Sequence, residues 1–277
     1  MAVRAFLVAV PFVLQAAGPK PLKITEAAIH QTEDGPLPPP GTLHVPGEVI
    51  FFSCRLEGFE VSPEKKVSLT YNFAAVDPGG VPLAEPASGK IEVELSPQDK
   101  EWKPKIRQNV LIPPLAESGT YKLNISVKDQ LSGSTGAAEV PFEVRGHAVE
   151  PADSLVIRNF RFLRTEEDAA PLKIAAYRPG DAVWARFDIT GYKFGPGNQR
   201  EVAYTVQVSR ADGRVLMPPG EPSVDKGSSF YPMRYAPSAI SFAVQPKTPP
   251  GEYTVLISAQ DRIGQQTCEL KQTFQVE

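Results

Sequence analysis

Apolar and polar residues alternate singly along most of the chain. Tyr121, Leu123, Ile125 and Val127 are interleaved with Lys122, Asn124, Ser126 and Lys128, and Ile50, Phe52, Cys54 and Leu56 form another such series. A two-residue period sends one set of side chains to a core and the other to water, which is the signature of a half-buried β-strand. Clusters of Pro, Gly and Asp separate these runs, and no long segment carries a 3.6-residue period. The pattern predicts antiparallel, all-β domains. Composition strengthens this, because Pro reaches 29 of 277 residues, about twice its usual share, and Pro at that density does not fit inside long helices.

The pattern is also written twice. Pro46-Gly47-Glu48 precedes the alternating run that ends at Gly58-Phe59, and Pro179-Gly180-Asp181 precedes Val183, Ala185, Phe187 and Ile189, ending at Gly191-Tyr192. Val67, Leu69, Tyr71 and Phe73 match Val202, Tyr204, Val206 and Val208, and the runs enter turns at Asp77-Pro78-Gly79-Gly80 and Asp212-Gly213. Gly119-Thr120-Tyr121 to Asp129 matches Gly251-Glu252-Tyr253 to Asp261. A period of about 130 residues exceeds that of any solenoid and implies duplication of whole domains. The expected organisation is a first domain over 21–145, a linker over 146–153 and a second domain over 154–277. Each should be a two-sheet sandwich, with a small barrel as the alternative.

Residues 1–17 read as a secretory signal peptide. Arg4 supplies the positive charge, Ala5 to Leu14 form the apolar run, and small residues follow up to Ala17. That run is about half the length a membrane span needs, so the reading is of an exported chain, periplasmic or extracellular, with no membrane span. Export permits disulfides, yet the chain has only Cys54 and Cys268, one in each copy. Both lie in apolar strand patterns and are expected to be free and buried, an inter-domain bridge being the alternative.

Glu117-Ser118-Gly119-Thr120-Tyr121-Lys122-Leu123 and Pro249-Pro250-Gly251-Glu252-Tyr253-Thr254-Val255 resemble the immunoglobulin-like superfamily, where a Tyr opens strand F and its hydroxyl ties the corner to upstream backbone. Leu123 and Val255 stand where an antibody domain has its second Cys, so the inter-sheet disulfide is absent. The whole is similar to tandem bacterial immunoglobulin-like exported proteins. The resemblance implies two β-sandwiches that bind, space or brace other molecules, and it transfers no ligand residues.

Charge narrows the partners. With 29 Lys+Arg against 32 Asp+Glu and a net charge of −3, the chain lacks the basic footprint of a nucleic-acid binder. Catalytic patterns are missing as well. There is no Gly-x-Ser-x-Gly, and the only histidines, His30, His44 and His147, have no zinc-protease spacing. Gly195-Pro196-Gly197-Asn198 reads as a turn rather than a dinucleotide fingerprint, and Asp129 and Asp261 as the starts of hairpin turns. The expectation is a non-catalytic binding, adhesive or structural module without a cofactor.

Alternatives remain open: a carbohydrate-binding module, or a glycoside hydrolase working through carboxylates. Glu33 and Asp34 in one copy, with Glu166, Glu167 and Asp168 in the other, are weak Ca²⁺ candidates. Phe230, Tyr231, Arg234 and Tyr235 fall in a segment that does not alternate, and with Trp102 they are the candidate contacts for an extracellular or periplasmic protein or glycan, because aromatics and Arg dominate binding energy at interfaces. The competing reading, which weighs more on the sequence, is that the loop around Tyr231 folds back over the end of its own sandwich.

Overall fold

The structure is a computed structural model that describes residues 21–99 and 101–277; the expected signal peptide lies outside the described residues. The strands in chain order are β1 (Lys23–His30), β2 (Leu43–His44), β3 (Val49–Glu57), β4 (Lys66–Val76), β5 (Ala87–Glu94), β6 (Lys105–Leu111), β7 (Gly119–Asp129) and β8 (Thr135–Val144). They continue with β9 (Val156–Leu163), β10 (Ala176–Tyr177), β11 (Ala182–Thr190), β12 (Arg200–Arg210), β13 (Val215–Met217), β14 (Ser223–Gly227), β15 (Tyr235–Ala243), β16 (Gly251–Asp261) and β17 (Gln266–Val276). A single 3-10 turn at Pro196–Asn198 is the only helical element among the described residues. No helix among them is long and apolar enough to cross a membrane.

In the first half, a sheet ordered β1-β3-β6 faces one ordered β2-β8-β7-β4-β5, and in the second half β15-β11-β9 faces β10-β17-β16-β12-β13, with β14 also paired to β12. Pairing is antiparallel except where β2 runs parallel to β8 and β10 parallel to β17. These short parallel strands tie the segment leading into β3 or β11 to the last strand of its half. At two residues each they are too short to show any periodicity in sequence.

Alternation accounts for the cores. Ile50, Phe52, Cys54 and Leu56 of β3 pack inward against Leu123, Ile125 and Val127 of β7, and Val183, Ala185, Phe187 and Ile189 of β11 pack against Val255 and Ile257 of β16. Cys54 and Cys268 are free. Cys54 is buried in the first core, and Cys268 is only half-buried against the second. The expected corners are present, with the Tyr121 hydroxyl donating to the Glu117 carbonyl at 2.9 Å and the Tyr253 hydroxyl to the Pro249 carbonyl at 2.6 Å. Both halves carry a bulge in their first long strand, with Glu26 at φ 51° and Asn159 at φ 52°.

The repeated Gly-aromatic strand end has a steric cause. Gly58 and Gly191 both sit at φ 78°, and a Cβ there would lie 2.3 Å from the Pro21 carbonyl oxygen and 1.9 Å from that of Ser154. The chain entering each half crosses over this glycine, leaving no room for a side chain. Gly191→Ala should therefore cost about 3 kcal/mol, combining strain with displacement of backbone. Gly213→Ala, at φ 87° with open space around it, should cost only about 1 kcal/mol. Equal denaturation midpoints for the two variants would contradict this account.

Candidate functional site

The segment between β14 and β15 is anchored by its backbone to the second half. Asn198 donates to the Phe230 carbonyl at 2.6 Å, the Thr190 hydroxyl to the Arg234 carbonyl at 2.8 Å, and the Tyr192 hydroxyl to the Met233 carbonyl. Ser229 donates to the Tyr231 carbonyl within the loop. With the backbone fixed, two side chains project into the first half.

Tyr231 joins the first core, where it is 5% exposed. Its hydroxyl donates to Oδ2 of Asp77 at 2.9 Å, and Nη2 of Arg234 donates to the same oxygen at 2.8 Å. Arg234 Nη1 also approaches Glu117 at 3.4 Å. Asp77 is buried, and its other oxygen accepts the Val81 amide at 2.8 Å, so the carboxylate shapes its own turn while receiving two donors from the other half. Burial first, then neighbouring Tyr121 and Asp77, push the Tyr231 hydroxyl well above the ordinary tyrosine range. It is a permanent donor, suited to a buried carboxylate.

The linker adds a second set of ties. Gly146 exchanges hydrogen bonds with the Ser118 hydroxyl at 3.0 Å. On the other side, His147 Nε2 donates to Asp188 at 2.6 Å, and Asn159 donates to Asp188 at 2.8 Å and to the Ala148 carbonyl at 3.1 Å. The His147 ring lies 5.2 Å from that of Tyr235, whose hydroxyl is pushed up to about 12 by burial and then by Asp188 and Glu117.

This placement corrects the expectation of an exposed aromatic contact surface. Tyr231 is buried in the first core and Tyr235 against His147 of the linker, because the irregular loop, held by its backbone on its own half, lies between the two sandwiches. Arg234 is committed to Asp77 and Glu117. Trp102 rests half-buried on the first core, edge-on to Phe59 at 5.9 Å. Phe230 alone keeps a largely free ring, 49% exposed.

The acidic candidates are also placed. Asp34 binds Lys105 at 2.5 Å and Arg107 at 2.8 Å, which hold its carboxyl down at about 2. Asp168 accepts the Arg164 and Thr165 amides of its own turn, and Glu33, Glu166 and Glu167 lie in the same two loops. No group of three or more His, Cys, Asp or Glu converges among the described residues.

Asp129 and Asp261 head their hairpins as expected, accepting the Leu131 and the Ile263 and Gly264 amides. Each also reaches across to the loop after β3 or β11, taking the Glu60 amide at 2.7 Å and the Lys193 amide at 2.8 Å. The other two histidines serve locally. His30 donates through Nδ1 to the Gly35 carbonyl and accepts the Ser53 hydroxyl at Nε2, and His44 pairs with Glu48.

No protein-family model and no curated protein matches the chain. Among solved structures, it is similar to the C-terminal domain of the AgI/II polypeptide BspA of Streptococcus agalactiae, with 13% identity and a TM-score of 0.31 over 93% of this chain and 100% of that one. The C-terminal domain of the Streptococcus pyogenes antigen I/II-family protein AspA gives 9% identity and a TM-score of 0.33 over 94% and 100%. The native conformation of E. coli alpha-2-macroglobulin gives 9% and 0.28 over 92% of this chain and 17% of that one. None of these likenesses assigns a family or a ligand. The strand orders and the two tyrosine corners are what mark the fold as immunoglobulin-like.

Proposed function

We propose that the chain is an exported, non-catalytic module in which two immunoglobulin-like sandwiches, 21–145 and 154–277, are braced into one stiff body. That body presents its free loops, edge strands and outer sheet faces to an extracellular or periplasmic protein or glycan. The observation that carries this reading is the buried Asp77 carboxylate receiving Tyr231 and Arg234 from the other half. A freely jointed pair of domains has no use for a desolvated, charge-assisted contact across its hinge, and the default expectation for an unbraced pair is relative motion. Export rests on the layout of residues 1–17. The buried carboxylates Asp77, Asp129, Asp188 and Asp261 are each engaged by donors of the structure itself, which favours bracing over acid-base chemistry.

Small-angle scattering tests the brace. Arg234→Ala removes the guanidinium from Asp77 and Glu117 and should broaden the distance distribution while each sandwich stays folded. The loss should be about 2 kcal/mol, at the lower end of the range for a buried charge pair because Arg234 is 35% exposed. A distribution identical to that of the native protein would remove the argument for a stiff module.

A further inference from the structure

The outer faces of the two smaller sheets differ in how they balance charge. On the β1-β3-β6 side, Arg55 pairs with Glu26, Lys103 with Glu57, and Lys105 and Arg107 with Asp34, all within 3.0 Å. On the matching sheet of the second half, Arg161 of β9 stands directly opposite Arg186 of β11. The same register position in the first half, two residues past the shared bulge, holds Ala28 opposite Ser53.

Among the described residues neither Arg161 nor Arg186 forms an ion pair. Arg161 donates to the Asn159 carbonyl at 3.4 Å and Arg186 to the Glu166 carbonyl. Cross-strand neighbours sit about 5 Å apart, so two like charges in this position are destabilising for the sheet alone. Trp184 lies two residues before Arg186 on the same face, since Val183, Ala185 and Phe187 point into the core. It is half-buried, and its register partner Leu163 is fully buried. The face therefore carries two guanidiniums that form no ion pair of their own, beside a buried Asp188 carboxylate already taken up by His147 and Asn159 and the Arg158–Glu150 pair, and, about 7 Å along the strand from Arg186, an indole ring.

We propose that this outer face of β9 and β11 binds an acidic glycan, with Arg161 and Arg186 receiving a uronate carboxylate and Trp184 receiving the apolar face of the adjoining sugar. A planar guanidinium fork matches a carboxylate, and one anion between the two arginines relieves their repulsion. The indole offers a flat apolar platform at one sugar's remove. A nucleic acid would need a longer basic stripe than this acidic chain has. The inference rests on the reading of the chain as a binding module and deepens it by naming a ligand class.

Calorimetric titration of the full chain at low salt, with an oligogalacturonate as the probe, is the test. Neutral cello-oligosaccharide and poly-glutamate serve as comparisons. Binding is expected for the oligogalacturonate alone, weakened about tenfold or more by Arg161→Gln with Arg186→Gln, and by Trp184→Ala. The arginine variant should melt no lower than the native protein, because a repulsion has been removed. No binding, binding unchanged in the arginine variant, equal binding of poly-glutamate, or a melting point several degrees lower in that variant would each overturn the proposal. Scattering profiles of the same variants should match the native one, so that failure here stays distinct from failure of the stiff-module reading.

Discussion

Replacing Tyr231 and Tyr235 together by Ser is expected to destabilise the protein by about 6 kcal/mol and to lower its melting midpoint by about 10 °C or more. Each ring is nearly fully buried, at 5% and 3% exposure, and truncating a buried aromatic costs about 3 kcal/mol through lost packing and the cavity left behind. The Tyr231 change has a second component. Its hydroxyl is one of three donors to Asp77, and the carboxylate would keep its burial while losing that donor.

Because the Tyr231 ring belongs to the first core and the backbone on either side of it is bonded to the second half, calorimetry should resolve two transitions in the variant where the native protein gives one. Tyr231→Phe keeps the ring and removes only the hydrogen bond, and should cost about 1.5 kcal/mol. An unchanged melting profile for the double variant would mean that the rings are not part of the junction.

The contrast between the strands and this junction shows what the sequence carries. β7 and β16 were legible because every second residue from Tyr121 and Tyr253 is apolar, a local pattern that needs no knowledge of partners. The corner hydrogen bonds followed from the same two tyrosines. Gly58 and Gly191 were visible as a repeated strand end, although the crossing backbone that requires them was not.

The junction was hidden because Tyr231 and Asp77 are separated by 154 residues, and nothing local distinguishes a loop that covers its own sandwich from one that covers its neighbour. A partial signal is present: the aromatic segment breaks the alternation, which sets it apart from the strands without saying which surface its rings meet. The outer-face arginines are hidden in the sequence for a different reason. Arg161 and Arg186 are 25 residues apart in the chain, and only the bulge at Asn159 sets them opposite each other.

Removing Asp129 should cost about as much as losing the Tyr231 or Tyr235 ring, with a pH signature. Its side chain is fully buried and accepts the amides of Glu60 and Leu131 and the Ser132 hydroxyl, thereby tying the loop after β3 to the hairpin between β7 and β8. Burial alone would raise its pKa, but the bonds from Glu60, Leu131 and Ser132 outweigh it and hold the carboxyl below its ordinary value. The folded state then binds fewer protons than the unfolded chain near pH 4, so stability rises with pH in that region. The contribution is complete above the unfolded value of about 4 and is lost as pH falls through the lower folded value.

Asp129→Ala should accordingly cost about 3 kcal/mol at pH 7, since it strands buried donors, and the difference from the native protein should shrink below about pH 4. Urea denaturation at pH 7 and pH 3 measures both quantities. A gap that stays constant between the two would show that the carboxylate's charge contributes nothing to the tie, and that shape alone holds the two loops together.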